Sequence, residues 1–360
     1  MDADFPFAHP FPPGPTPDLP AAPPPREPAW SGIELAAIVL FTVAAIVALS
    51  LIAVLGWAIL AHASGLGESA TARYPELQVV ALTLIGQTGG MLAGFLLAWL
   101  WIARAGDTRF WRAIHWRRLK PETVLGMLAG GAAMMVVVQL LGHVLPMPSG
   151  VPMDRLFTPH TAWLLLIYGI AIAPFFEEFF FRGLLYPTLR SAFAEGMTAA
   201  ELRPWRPLVR VLAATGALVG VYWYWRAHLL GAAASPALGG GTAVGPLVSI
   251  AAGLALLAWP DPLVTGAGAL INLLTRWRRP ELLAIFVTGL LFGLMHAAQL
   301  GWAWAAVLIM VIVGVVLTVM RAATGSLMAS WIFHCAYNGT LFAAQYFATQ
   351  GFHHFTQGPH

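Results

Sequence analysis

The sequence predicts an all-α fold, a polytopic transmembrane helical bundle of about nine spans, on three observations. Hydrophobic residues make up 59% of the 360, charged ones only 10%, and the mean hydropathy is +0.74. Several apolar runs reach about 20 residues, the length a helix needs to cross a bilayer. These runs lack the alternation of apolar and polar residues that a transmembrane barrel would show.

The first 30 residues contain PFPPGPTPDLPAAPPPREP, too rich in proline for helix and too poor in apolar mass to pack, which predicts a disordered, polyproline-like tail. That stretch is neither basic nor promptly followed by an apolar core, so no cleavable signal peptide is expected. Spans are expected at 32–60, 77–103, 124–145, 161–189, 208–230, 243–260, 281–300, 302–320 and 326–348, of which the sixth is the shortest.

Lys and Arg are sorted among the connections. Six lie between Arg104 and Lys120, four between Arg190 and Arg210, three in TRWRRPE at 275–281, and Arg26 and Arg321 stand alone. The alternate connections and their span ends carry only Arg73, Arg155 and Arg226. The positive-inside rule places the rich loops and the N-terminus in the cytoplasm and, with nine crossings, the C-terminus outside. The net charge of +3 and pI near 9.3 are therefore loop charge, and no nucleic-acid motif accompanies them. The single cysteine, Cys335, excludes an intrachain disulfide and a thiolate zinc cluster, and reads as a small buried apolar residue.

The run 161–189 breaks the apolar pattern with PFFEEFFFRG at 174–183. GLLYPTL continues apolar beyond it to Leu189, so Glu177, Glu178 and Arg182 lie inside the span rather than past its end. Each would cost about 2.5–3.5 kcal/mol at a helix centre, and such residues face a cavity or a partner. Helical spacing gives Arg182 to Glu178 as its i+4 neighbour, which predicts an ion pair, and turns Glu177 by about 100° to another face. In LLFGLMH, Phe292 and His296 share a face at i, i+4; in HCAYN, His334 aligns with Asn338. Glu177 lies 13 residues before Arg190, His334 lies 13 after Arg321, and His296 lies 17 after Arg279. At a helical rise these distances put all three roughly 20–25 Å from the cytoplasmic anchors, at one level.

EEFFFR, FGLMH and HCAYN resemble, in order, the EExxxR, FxxxH and HxxxN motifs of the CAAX protease and bacteriocin-processing (CPBP) family of intramembrane proteases. The resemblance covers roughly 161–348. It implies an endopeptidase that hydrolyses a peptide bond of a membrane-associated protein or peptide, with Glu177 and His296 activating water and His334 and Asn338 stabilising the oxyanion. Glu178, Arg182 and Phe292 would then be structural support. Chemistry agrees with such roles, since histidine and asparagine both donate to a developing oxyanion. Glu177, His296 and His334 are also a ligand set of acceptable type for a Zn2+ ion with an open position for water; no HExxH helix is present, and the metal question stays open.

On this reading the chain divides into a tail at 1–30, N-terminal transmembrane helices at 31–150, a protease core at 151–348 with an inserted two-span segment at about 191–280, and a short tail at 349–360. The insertion departs from the family pattern, in which a short loop joins the first two motifs. VRVLAATGALVGVYWYW and VGPLVSIAAGLALLAW read as its two added spans, and an even number returns the chain to the side it left. Expected partners are a membrane protein or peptide substrate and the lipid bilayer, with no nucleic acid. The 18 arginines against one lysine fit a GC-rich, bacterial genome, hence a multi-pass protein of the bacterial cytoplasmic membrane. A transporter, an immunity-type protein or a non-catalytic scaffold would use the same buried polar groups for other ends.

Overall fold

The computed structural model describes residues 28–64, 75–104, 109–148, 150–151, 154, 156–196, 198–229, 244–274 and 279–353. The proline-rich tail apart from 28–30, the end of the C-terminal tail, the uncharged segment 231–242 and two of the three arginines in TRWRRPE lie outside these residues. Among the described residues every regular element is helical.

The longer helices are α1 (Gly32–Ser64), α2 (Pro75–Arg104), α3 (Pro121–Val144), α4 (Ala162–Glu195), α5 (Trp205–Leu229), α6 (Val244–Ala258), α7 (Asp261–Leu274), α8 (Pro280–Met295), α9 (Trp304–Thr324) and α10 (Leu327–Ala348). Their starts carry local signals. Proline stands in the first turn of α3 and α8, and Glu34, Glu76, Glu122, Asp261 and Glu281 place negative charge at N-termini. Ser31 and Glu34 cap α1 reciprocally, at 3.3 and 2.6 Å. Gly325, left-handed at φ 62°, closes α9.

Five helices, α1, α2, α3, α4 and α9, are long and apolar enough to cross a membrane, or six if the bent pair of α6 and α7 counts as one. Large apolar side chains such as Leu55, Ile59, Leu125, Leu140 and Phe286 point outward, as a lipid-facing surface requires. The chain is an integral membrane protein. About nine crossings were expected; among the described residues each apolar run is largely helical, but the run at 281–300 is helical only to Met295, and five or six helices meet the length and hydropathy of a crossing. Among the longer helices α7 was not expected, and it follows α6 after a turn of 84°.

Helix ends show how the segment between α4 and α8 is threaded. Arg206 at the start of α5 pairs with Asp261 at the start of α7 at 2.5 Å, so α5 and α6 run out and back. Glu195 at the end of α4 and Glu281 at the start of α8 border the same cavity. The chain therefore returns to the end it left before the second and third motifs begin. At that same end the Trp30 indole donates to the Thr188 hydroxyl at 2.9 Å, and the Ser326 hydroxyl donates to the Arg117 carbonyl at 2.9 Å. The described parts of the arginine-rich loops thus gather at one end, and Glu76 meets His160 at the other, 3.6 Å apart.

The core that positions the polar groups centres on α9, where Ile309, Val313 and Leu317 pack with Phe292, Phe333, Tyr337, Met134 and Met135. The α8–α9 approach is backbone to backbone. A Cβ at Gly289 or Gly293 would lie 2.6 Å from the amide nitrogen of Val315 or Val311, so this small-xxx-small pair fixes the separation.

Candidate active site

The helix that carries PFFEEFFFRG is not uniform. Two π-helical segments, Tyr168–Ile172 and Phe179–Leu185, flank the α turn Ala173–Glu178 that holds both glutamates. The Ala173 N–H reaches the Tyr168 carbonyl and the Tyr186 N–H reaches the Phe181 carbonyl, each five residues back. Pro174 and Pro187 give the physical reason. Each lacks the N–H for the carbonyl four residues earlier and crowds that carbonyl with its ring, and a wider turn relieves both.

The expected ion pair is present and fully buried: Arg182 Nη1 donates to Glu178 Oε1 at 2.9 Å, with side-chain exposures of 0% and 1%. Arg182 does more than neutralise. Its Nη2 donates to the Gly314 carbonyl at 2.7 Å and its Nε to the Thr318 hydroxyl at 3.2 Å, tying α4 to α9. Its guanidinium carbon stands 4.5 Å from the centre of the Phe292 ring, within cation–π range. Gly314 and Thr318 escaped the sequence reading. The signal was there in GVVLT, a small residue and a lone hydroxyl at i, i+4 within an apolar span.

Glu177 is left free of that pair and meets both histidines. His296 Nε2 lies 3.9 Å from Glu177 Oε1, and His334 Nε2 lies 3.8 Å from Glu177 Oε2. The structure thus brings together three side chains from α4, α10 and the end of α8. Both distances exceed a direct hydrogen bond and suit a bridge through one water. The opposite ring nitrogens are committed: His296 Nδ1 to the Phe292 carbonyl at 2.9 Å, and His334 Nδ1 to Glu178 Oε1 at 3.0 Å. A carbonyl and a carboxylate only accept, so each Nδ1 carries hydrogen and each Nε2 faces Glu177.

His296 is not inside a helix but caps one. α8 ends at Met295 after 16 residues, about 24 Å against a hydrocarbon core of about 30 Å. Its last turn therefore presents His296 within the bilayer depth, and the ring satisfies one of the orphan C-terminal carbonyls. Phe292, 1% exposed, is the platform beneath. Its ring centre is 4.7 Å from that of His296, 5.9 Å from that of His334 and 5.3 Å from that of Phe181.

Asn338 shares the His334 face as its spacing requires, and its Nδ2 donates to the Gly169 carbonyl of the first π segment at 2.7 Å. A second link to that segment comes from outside the motifs. The Tyr168 hydroxyl donates to Gln87 Oε1 of α2 at 3.2 Å, so a helix of the N-terminal region buttresses the site.

Among the described residues no group of three or more His, Cys, Asp or Glu closes on a metal-holding geometry. Glu177, His296 and His334 have the chemistry and the outer hydrogen bonds of a ligand set, but their side chains stand too widely spaced here to form one.

No curated protein and no solved structure matches the chain. A family model described as Rce1-like, type II CAAX prenyl endopeptidase, matches residues 266–340. That segment contains FGLMH and HCAYN, and EEFFFR lies outside it in sequence yet folds against it in space. The match over this segment and the gathered motifs support the resemblance to the CAAX protease and bacteriocin-processing family.

Proposed function

We propose that this protein hydrolyses a peptide bond of a membrane-associated protein or peptide, with a water held between Glu177 and His296. The observation that carries the reading is the pair of Nε2 atoms at 3.8 and 3.9 Å from the two oxygens of a single, partly buried carboxylate. Water in that space donates one hydrogen to Glu177 and the other to His296 Nε2. The water oxygen attacks the scissile carbonyl carbon while Glu177 takes its proton, and Glu177 later returns that proton to the departing amine. Glu177, Glu178 and Arg182 leave one negative charge in the cluster. His334 faces the position of the oxyanion, and when its Nε2 carries hydrogen it donates there. Asn338 keeps one amide hydrogen beyond that used on Gly169, and it adds a second donor or holds the π turn in place.

The protein sits with its arginine-rich end and N-terminus in the cytoplasm of a bacterium, and the substrate reaches Glu177 from within the bilayer. A zinc ion, if bound, would be held by Glu177, His296 and His334 after they close inward, and it would supply Lewis-acid activation of the same water. The test uses purified protein in vesicles with a peptide ending in a farnesylated CAAX sequence, beside the unprenylated peptide. Native protein should release the C-terminal fragment, and Glu177→Gln and His296→Ala should not. Turnover by Glu177→Gln at the native rate would overturn the reading.

A further inference from the structure

A second charged site lies at the arginine-rich end, separate from the Glu177 cluster. A cavity of about 460 Å³ is bordered there by Arg112, Arg117, Arg190 and Arg321, with Glu195 and Glu281 as its acids. This size falls within the roughly 300–1,000 Å³ of small-ligand sites. The four arginines come from three parts of the chain: the segment before α3, the last turns of α4, and the last turn of α9.

The acids are already engaged. Glu281 accepts from the Tyr186 hydroxyl at 3.1 Å, and Glu195 accepts from the Ser191 hydroxyl at 3.2 Å. Among the described residues none of the four arginines forms an ion pair with a carboxylate. Arg112, Arg117 and Arg190 are exposed at the rim. Arg321 is different: it is 4% exposed, and its Nε has no hydrogen-bond partner. A guanidinium withdrawn from water and short of a partner is costly unless an anion completes it.

We infer that this cavity binds a phosphate group, held by Arg321 at its floor and by the guanidinium forks of Arg117 and Arg190 at its rim. Four positive charges against two negative leave a net of two, which suits a phosphate mono- or diester, and the planar fork matches phosphate oxygens bidentately. The site lies where α4 and α9 end, at the level of a headgroup. Basic pockets between helices on that side of a membrane hold anionic lipids. The same chemistry would also accept free phosphate.

The test measures lipid retained by the full-length protein after purification from vesicles of phosphatidylcholine with and without phosphatidylglycerol, by native mass spectrometry. Native protein should retain phosphatidylglycerol, and Arg117→Gln with Arg190→Gln should reduce retention roughly tenfold, equivalent to about 1.4 kcal/mol. Arg210→Gln, which removes an exposed charge away from the cavity, should retain it as native does. Inorganic phosphate protecting native protein against heat, but not the double variant, with no lipid retained, identifies free phosphate as the ligand. Retention unchanged by the double variant, or equally reduced by Arg210→Gln, together with no protection by phosphate, would overturn the inference. The rim variants avoid the folding risk of Arg321→Gln.

Discussion

At the residue scale, the two adjacent glutamates do different jobs because one helical step separates them. Glu178 is sealed between Arg182 and His334, and Glu177 faces the gap between two imidazoles. Glu178→Ala would strand a buried guanidinium, at a cost of about 3–5 kcal/mol, so folded protein recovered from membranes should fall sharply. Glu177→Gln should accumulate as native does; equal recovery of the two variants would refute this division. The histidines carry a second forecast. With direct water activation, His334→Ala should retain measurable turnover, reduced by about 10²- to 10³-fold, the usual loss for one oxyanion donor. With zinc it should be as inactive as His296→Ala, and a strong chelator should inactivate the protein with recovery on adding zinc. Metal analysis of active protein decides between these outcomes. The ion pair was legible because i+4 spacing fixes neighbours within a helix. The partners Gly314 and Thr318, and the Gly169 carbonyl that accepts from Asn338, were not, because they depend on which helix packs where.

At the element scale, motif spacing reveals helical faces but not departures from the helix. PFFEEFFFRG was read as one continuous α-helix, whereas π turns bracket the glutamates. Pro174 and Pro187 were the visible signals, and they went unread because proline is tolerated in transmembrane helices. If Pro174 maintains the first π turn, Pro174→Ala restores an N–H and lets the helix rewind, which rotates Tyr168 and Gly169 relative to Glu177. Turnover should then drop by up to about 10²-fold with folded protein largely retained, measured on purified variants; unchanged turnover would show that the turn has another cause. Likewise His296 was expected within a span and stands at a helix end. Length alone hinted at this, since PELLAIFVTGLLFGLM is short for a crossing.

At the scale of the whole molecule, charge sorting made the two ends of the bundle legible. The described arginine-rich segments do meet at one end, and the chain between α4 and α8 returns to it through α5 and α6. What the sequence hid was α7, because its apolar residues continue the pattern of α6 across Pro260, and an 84° turn is invisible to a hydropathy reading. In a Cys335→Ser background, cysteine at Trp111 should be labelled only from the cytoplasm. Cysteines at Ser149 and Ser235, which lie outside the described residues, should both be labelled from outside; opposite sidedness for these two would refute the threading. The central claim, that Glu177 drives proteolysis inside the membrane, is tested most directly without assuming a substrate. Peptides in membrane fractions of cells carrying native protein, Glu177→Gln, His296→Ala or the control Arg210→Gln are compared by mass spectrometry at matched protein levels. The account predicts one set of cleavage products in the native and Arg210→Gln samples that is absent from both site variants. The same products persisting in Glu177→Gln would contradict it.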